Sequence, residues 1–221
     1  MTPAVAQSLN HDLLSDSEYR QVIELLLSRG VESDVAAELA ARVDRGETLL
    51  ADDPDAEPIA VKELSQGVVR QYFADGSVSE AGTQRPDSVI KMSPSSGSLF
   101  APTGTSLVGC RVATSGYYAT YTNCRATYDG IQFKYSFLTT FSMSSGGSSV
   151  SRASDPIISR ALGHSVSDVR AWIARAKSVG STTPASGRMT FLATASIGGN
   201  VVNTKTVGIS LYVYKNRYTF S

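Results

Sequence analysis

An alternation of apolar and polar residues over residues 131–142 constrains the fold more than any other feature of the chain. The apolar members are Ile131, Phe133, Tyr135, Phe137 and Phe141, and the polar members are Gln132, Lys134, Ser136, Thr140 and Ser142. Successive side chains of a β-strand point to opposite faces, so a period of two predicts a long strand with one buried face.

Two further runs in the C-terminal part have the same period. They span residues 189–197 and 207–213, and Gly198-Gly199-Asn200 lies between them as a turn. Several strands separated by Gly- and Ser-rich turns are typical of an antiparallel, immunoglobulin-like β-sandwich, which we expect over residues 106–221. Residues 165–178 fit either a helix or a strand by periodicity, and their context favours a strand.

The N-terminal part has helical periodicity instead. Ser15 and Glu18 stand at capping-box spacing ahead of apolar residues at i, i+3, i+4 and i+7, which predicts a helix to about Arg29. Ser33 is expected to cap a second helix that ends at Gly46. The short connection makes the two helices an antiparallel hairpin.

A β-hairpin is expected to follow the helices. Residues 68–73 and the run beginning at Val78 flank Asp75-Gly76, a dipeptide typical of tight hairpin turns. With the sandwich expected further along, the fold class is α+β.

The formal net charge of zero hides two opposite charges. Residues 1–88 carry 17 Asp and Glu against 7 Lys and Arg, whereas residues 89–221 carry 3 against 13. Such asymmetry indicates two functional parts. We expect a disordered arm over 1–14, an acidic segment over 15–82, a Pro/Ser/Gly-rich linker over 83–105 and a basic segment over 106–221. Intramolecular contact between the acidic and basic segments would make the acidic one a prosegment or mask.

Two features favour export to the cell surface or the medium. Ala4-Val5-Ala6 fits the Ala-x-Ala pattern at the end of a signal peptide, although an Ala-rich terminus is the alternative. Cys110 and Cys124 lie in runs that flank a Thr-Ser-Gly turn and are expected to form a disulfide across a hairpin, since such bonds persist in oxidising compartments. The alternative is two free thiols in a cytosolic protein. No apolar run is long enough to cross a bilayer.

The layout resembles a class of exported actinobacterial proteins without assigned activity. The acidic helical segment, the hairpin at Phe73-Ala74-Asp75-Gly76-Ser77 and the pair Gly109-Cys110 and Tyr121-Thr122-Asn123-Cys124 carry the resemblance. It implies secretion and a β-rich C-terminal domain, and it supplies no catalytic residues.

The sequence offers no catalytic constellation, so a binding module is favoured over an enzyme. His164 lacks a G-x-S-x-G motif to partner it, and we expect it in a solvent-facing loop. The basic segment has no glutamate to provide a pair of catalytic carboxylates. Neither a cofactor nor a metal ion is expected.

The candidate binding surface combines tyrosine with arginine, which together stack on rings and attract anions. Its members are Tyr117, Tyr118, Tyr121, Arg111 and Arg125. The alternative is that these tyrosines pack within a sheet, because tyrosine favours strands.

Three function classes follow from these observations. The first is an exported non-enzymatic module that binds a cell-surface, glycan or protein partner. The second is a secreted effector or antibacterial toxin that cleavage in the linker activates. The third, a secreted hydrolase, has the least support. Export argues against a nucleic-acid partner.

Overall fold

The computed structural model describes residues 13–53, 56–65, 68–83, 104–197 and 199–221. The helices are α1 (Asp16–Ser28), α2 (Ser33–Asp44) and a short 3-10 helix (Leu50–Asp52). The strands are β1 (Ala60–Ser65), β2 (Val68–Tyr72), β3 (Val78–Thr83), β4 (Thr105–Val108), β5 (Arg111–Ser115), β6 (Tyr118–Asp129), β7 (Phe133–Ser144), β8 (Gly147–Ala161), β9 (His164–Arg175), β10 (Ala185–Ile197), β11 (Asn200–Val213) and β12 (Tyr218–Phe220). The fold is α+β, with its helices ahead of its strands.

The two predicted helices form, and the first begins as its capping box predicted. The Ser15 hydroxyl accepts a hydrogen bond from the Glu18 N–H at 3.3 Å, and the Glu18 carboxylate accepts one from the Ser15 N–H at 2.9 Å. The second helix begins differently. Glu32 is its N-cap and makes no side-chain capping bond, so Ser33 is its first residue rather than its cap. None of the described helices is long and apolar enough to cross a membrane.

The first sheet joins strands from the acidic and basic segments. Its hydrogen-bonded order is β1-β2-β3-β4-β6-β7-β8, and β5 also pairs with β6. The predicted hairpin is β2 and β3, and the β3–β4 contact, Gly82 opposite Ser106, is parallel. Most of the predicted linker lies outside the described residues, and the sheet is continuous on its two sides.

The second sheet has the order β12-β11-β10-β9 and is antiparallel. Residues 164–175 form strand β9, as their context predicted. The two sheets share one apolar core to which β6, β7, β10 and β11 contribute. Its largest fully buried side chains include Phe137, Phe141, Met189, Phe191 and Leu211. The inward-facing residues of β7 and β10 are those that the period of two marked.

The acidic segment packs against one end of the basic segment. Ile131 and Leu162, in the turns that follow β6 and β8, join the apolar cluster of the helices. The buried Arg29 guanidinium donates to the Asp129 carboxylate at 3.1 Å and to the carbonyl oxygens of Val78 and Gly130. The contact between the two segments therefore combines apolar burial with a partly enclosed ion pair.

Leu13 and Leu14 correct the extent of the predicted N-terminal arm. Both side chains are buried, and the Leu13 N–H donates to the Asp44 carbonyl at 3.0 Å. A Cβ at Gly163 would approach the Leu13 side chain to 2.7 Å, so glycine permits this close packing. The predicted arm therefore extends no further than residue 12, and residues 1–12 lie outside the described residues.

Candidate functional site

The tip of the β5–β6 hairpin exposes two adjacent tyrosines. Gly116, with φ of +56°, makes the turn and Tyr117 follows it. Tyr117 is 75% exposed and Tyr118 is 46% exposed. Aromatic side chains that are exposed at a turn do not contribute to the apolar core, and tyrosine is enriched in binding interfaces. We call residues 115–118 the hairpin tip.

A disulfide closes the base of this hairpin, as the sequence predicted. Cys110 and Cys124 are bonded, with their Cα atoms 4.2 Å apart. Strand β5 pairs only with β6 in the described sheet, so the disulfide supplies a second attachment. Closing a loop of this length contributes about 3 kcal/mol in the chain-entropy model. The hairpin tip is consequently held on a fixed base.

Hydroxyl groups surround Tyr118 on the outer face of the first sheet. Thr120 lies two residues along β6, and Ser142 lies opposite Thr120 on β7. Hydrogen bonds to Ser142 and then to Thr120 lower the pKa of the Tyr118 hydroxyl. The hydroxyl of Tyr118 therefore lies near these polar groups, and the side chain remains 46% exposed.

The two predicted arginines lie on this same outer face but differ in their contacts with other side chains. Arg111 is exposed and stands opposite Thr122 in the β5–β6 register. Arg125 donates to the Asp155 carboxylate at 3.1 Å and to the Ser136 hydroxyl at 3.2 Å. Arg111 is therefore the better placed of the two to meet an anionic partner.

Tyr121 does not belong to this surface, which corrects the sequence-based grouping. It is only 6% exposed, and its ring stacks on Phe141 at 4.6 Å between centroids. Burial raises the pKa of its hydroxyl. Because side chains alternate along β6, Tyr118 points outward and Tyr121, three residues later, points into the core. Tyr121 is a packing residue.

A second site, which the sequence did not predict, lies near the other end of β6. It is a pocket of about 290 Å³ between the 3-10 helix, the adjoining parts of β6 and β7, and the middle of β11. Its lining includes Asp52, Tyr128, Gln132, Phe133, Tyr135, Lys205 and Gly208. We call it the Lys205 pocket. Its wall combines aromatic rings with a few polar groups, which is the usual composition of a small-molecule site.

Asp52 forms part of the wall and joins the acidic segment to the basic one. Its carboxylate accepts hydrogen bonds from the backbone N–H groups of Ile131 at 2.6 Å and Gln132 at 3.0 Å, and from the Tyr128 hydroxyl at 3.2 Å. Burial raises the pKa of Asp52, and these hydrogen bonds oppose the rise without cancelling it. Both carboxylate oxygens are therefore engaged by protein donors.

Lys205 and Gln132 are two polar residues in the lining of the pocket. The Lys205 ammonium lies 5.2 Å from the centre of the Phe133 ring, and burial lowers its pKa. Gln132 is 2% exposed, and in the part of the chain that the structure describes its Oε1 atom has no hydrogen-bond partner. Buried polar atoms are nearly always paired, so this acceptor is an exception, and its burial leaves no room for a ligand atom from the pocket beside it.

His164 is placed differently from the expected loop. It is the first residue of β9, half-buried, with its ring 4.9 Å from that of Phe133 and its Nδ1 2.7 Å from the Leu162 carbonyl oxygen. Burial lowers the pKa of the imidazole. Within the described ranges, no three His, Cys, Asp or Glu side chains converge in a way that could hold a metal ion.

Comparisons with known proteins include a distant structural similarity. No protein-family model matches the chain, and the search of curated proteins found no match. A 2.75 Å crystal structure of the hypothetical protein lmo2686 from Listeria monocytogenes EGD-e is 15% identical and covers 70% of this chain and 91% of its own, with a TM-score of 0.35. So low a TM-score supports no conclusion about function.

Proposed function

We propose that the protein is an exported, non-enzymatic module, an immunoglobulin-like β-sandwich, that binds an anionic glycan-rich surface through the hairpin tip. The observation that carries this proposal is the exposure of Tyr117 and Tyr118 on a hairpin whose base is closed by a disulfide. The disulfide also supports export, because such bonds persist outside reducing compartments.

The chemistry around the hairpin tip suits a glycan. The flat tyrosine rings offer apolar faces on which sugar rings can stack, and the hydroxyl groups of Thr120 and Ser142 are the kind that pair with sugar hydroxyls. Arg111 provides a planar cation, which recognises phosphate and carboxylate groups by paired hydrogen bonds. A surface that carries both sugars and acidic groups therefore matches this face.

The described residues of the acidic segment do not cover the hairpin tip. It contacts the opposite end of β6, near Asp129, and a strand rises about 3.3 Å per residue, so about 35 Å separates Tyr118 from that contact. In our proposal a masking role of the acidic segment concerns the end of the sheet that carries the Lys205 pocket. Cleavage in the linker should leave binding at the hairpin tip unchanged.

The test is cosedimentation of the full chain with purified Gram-positive cell walls, before and after chemical removal of their anionic polymers. We expect Tyr117→Ser with Tyr118→Ser to weaken binding about 30-fold, because each truncation at an aromatic anchor costs about 1 kcal/mol or more. Arg111→Gln should weaken binding to intact walls and leave binding to the stripped walls unchanged.

Tyr214→Ser provides the matched control. Tyr214 is also a tyrosine beside an arginine, with Arg217 4.9 Å from its ring, but it lies at the end of the second sheet. The proposal fails if the full chain does not sediment with the walls, or if the control variant loses as much binding as the double variant.

A further inference from the structure

We propose that the outer face of the second sheet binds a linear phosphodiester polymer with three carbons between its phosphates, such as poly(glycerol phosphate). Three arginines of β9 and β10 supply the contacts, namely Arg170, Arg175 and Arg188. The hairpin tip belongs to the first sheet, so this surface lies on the other of the two sheets. It is a second binding surface and does not depend on the function proposed above.

Alternation along β10 determines which of its side chains face away from the core. Met189 and Phe191 are fully buried, and a Cβ at Gly187 would approach the Phe137 ring to 3.4 Å. These odd-numbered residues face the first sheet. The even-numbered residues of β10, Arg188 among them, therefore project from the outer face of the second sheet.

Three successive rows across this face each carry one arginine. The residues of β9 and β10 that lie opposite each other are Arg175 and Ser186, Trp172 and Arg188, and Arg170 and Thr190. Successive rows are two residues apart along β10, which makes them about 6.6 Å apart. The three arginines therefore form a series of positive charges with a regular spacing. We call them the arginine ladder.

The arginine ladder has no carboxylate partner among the described residues. None of its members forms an ion pair within 4.0 Å there. Strands β10, β11 and β12 contain no Asp or Glu, and Asp168 of β9 lies beyond the Arg170 end of the ladder. The turns at the Arg175 end, residues 176–184 and 214–217, also contain no Asp or Glu, and they add Lys177, Lys215 and Arg217. A polyanion is the partner whose charge complements this face.

Neutral groups orient the guanidinium groups and leave hydrogen-bond donors free. Arg188 donates from Nε to the Ser210 hydroxyl at 2.9 Å, and the Arg170 guanidinium lies over the Trp172 ring, 5.2 Å from its centre. Arginine has five N–H donors, so both residues keep donors for a ligand. Its planar fork pairs with phosphate oxygens through two parallel hydrogen bonds.

The spacing of the ladder matches a phosphodiester chain with three carbons between its phosphates. Three backbone bonds of an extended polypeptide span about 3.3–3.6 Å, so the six single bonds from one phosphorus atom to the next span about 7 Å. A nucleic acid strand has the same number of bonds between its phosphates. Sheets that bind single-stranded nucleic acid stack bases on exposed aromatic faces, whereas Arg170 already lies over the Trp172 ring. The structure therefore favours a polymer without bases.

Fluorescence anisotropy of a labelled glycerol phosphate oligomer of defined length, titrated with the full chain, tests the proposal. Each contact with a phosphate of a flexible strand adds about 0.7 to the slope of log affinity against log salt. Replacing all three arginines of the ladder by glutamine should therefore lower this slope by about 2, and it should weaken binding by about tenfold at low salt. Arg188→Lys keeps the charge, so it should keep the slope.

The matched control removes the same charge elsewhere. Arg20→Gln, Arg45→Gln and Lys62→Gln together change three exposed residues of the acidic segment and should leave the slope unchanged. Tyr117→Ser with Tyr118→Ser should also bind the oligomer as the unmodified chain does, because the hairpin tip is a separate surface.

Circular dichroism shows whether the triple variant is folded. If it is not, Arg170→Gln with Arg175→Gln takes its place, because both residues are exposed, and this pair should lower the slope by about 1.4. The proposal is overturned if the oligomer does not bind at low salt or if folded ladder variants keep the slope of the unmodified chain. It is also overturned if oligothymidylate with the same number of phosphates binds more tightly, since the surface would then select a nucleic acid.

Discussion

Replacing Asp52 by alanine tests whether one carboxylate joins the two segments of the chain. The substitution leaves the backbone N–H groups of Ile131 and Gln132 without an acceptor, and both residues are buried. A hydrogen bond to a charged group contributes about 1.5–3 kcal/mol, so two of them amount to about 3–6 kcal/mol. Water from the pocket can replace part of this hydrogen-bond energy, and the variant no longer bears the cost of burying the carboxylate. Both effects reduce the loss of stability. We expect a net loss of about 2–3 kcal/mol in the free energy of unfolding.

Urea unfolding measures this loss, followed by far-UV circular dichroism and by the fluorescence of Trp172, the single tryptophan of the chain. Glu57→Ala is the matched control, because Glu57 is acidic, nearby in sequence and exposed. An exposed substitution changes stability by no more than about 0.5 kcal/mol. The reasoning is refuted if Asp52→Ala is as stable as Glu57→Ala with an unchanged dependence on urea.

The pH dependence gives Asp52 a second signature. Because its pKa in the folded protein is raised above the ordinary value of 3.8, the unfolded chain loses this proton first as the pH rises. The contribution of Asp52 to stability is therefore greatest below pH 3.8 and falls as the pH rises through the folded pKa. The difference in stability between the unmodified chain and Asp52→Ala should narrow over this window. A gap that widens with pH would contradict the raised pKa.

Two other predictions follow from the ion pairs and the disulfide. Burial acts to raise the pKa of Asp129, but Lys134, Arg160 and Arg29 outweigh it and hold the pKa below its ordinary value of 3.8. Asp129→Asn should therefore lower the free energy of unfolding by about 2 kcal/mol at neutral pH. This loss should vanish as the pH falls below 3.8 through the pKa of Asp129 in the folded protein. Asp155 lies in the exposed pair with Arg125, so Asp155→Asn should lower the free energy of unfolding by about 0.5 kcal/mol or less. Replacing Cys110 and Cys124 by alanine should lower the free energy of unfolding by about 3 kcal/mol, measured by urea unfolding. Alkylation that raises the intact mass without prior reduction would show that the bond is absent from the isolated protein.

Local patterns predicted the elements that bury one face. The capping box and apolar stripe located α1, and the period of two located β7, β10 and β11. Strand β1 was missed because its residues, including Val61 and Leu64, are exposed and leave no buried face to detect. The parallel contact between β3 and β4 lies between strands far apart in the sequence, and no local pattern encodes such a pairing.

The sequence predicted where the hairpin tip lies, but it did not predict which of the candidate tyrosines are exposed there. The two cysteines and the glycine turn placed Tyr117 and Tyr118 at an exposed end. Tyr121 was grouped with them by proximity in sequence, although alternation along a strand separates it from Tyr118. The parity of positions along β6 was the signal that could have excluded it.

The Lys205 pocket could not be predicted from the composition of the segments that line it. Asp52 stands in a run of acidic residues, and such runs are usually solvated, yet its carboxylate accepts hydrogen bonds from three groups of the basic segment. Lys205 lies two residues before the run 207–213 that was predicted as a strand. Both residues acquire their environment from strands and turns that meet only in the folded chain.

The two segments are not held together by attraction between their opposite net charges. The main ion pair between them has the reverse polarity, since the acidic segment supplies Arg29 and the basic segment supplies Asp129. Asp52 bonds to backbone N–H groups and a tyrosine hydroxyl rather than to a basic side chain, and the Glu18 carboxylate accepts a hydrogen bond from the Gly163 N–H. The contact also includes the pairing of β3 with β4 and an apolar cluster that contains Ile131 and Leu162. Salt screens exposed charges over about 8–10 Å but has little effect on buried pairs and apolar contacts. Added salt should therefore have little effect on the contact between the two segments.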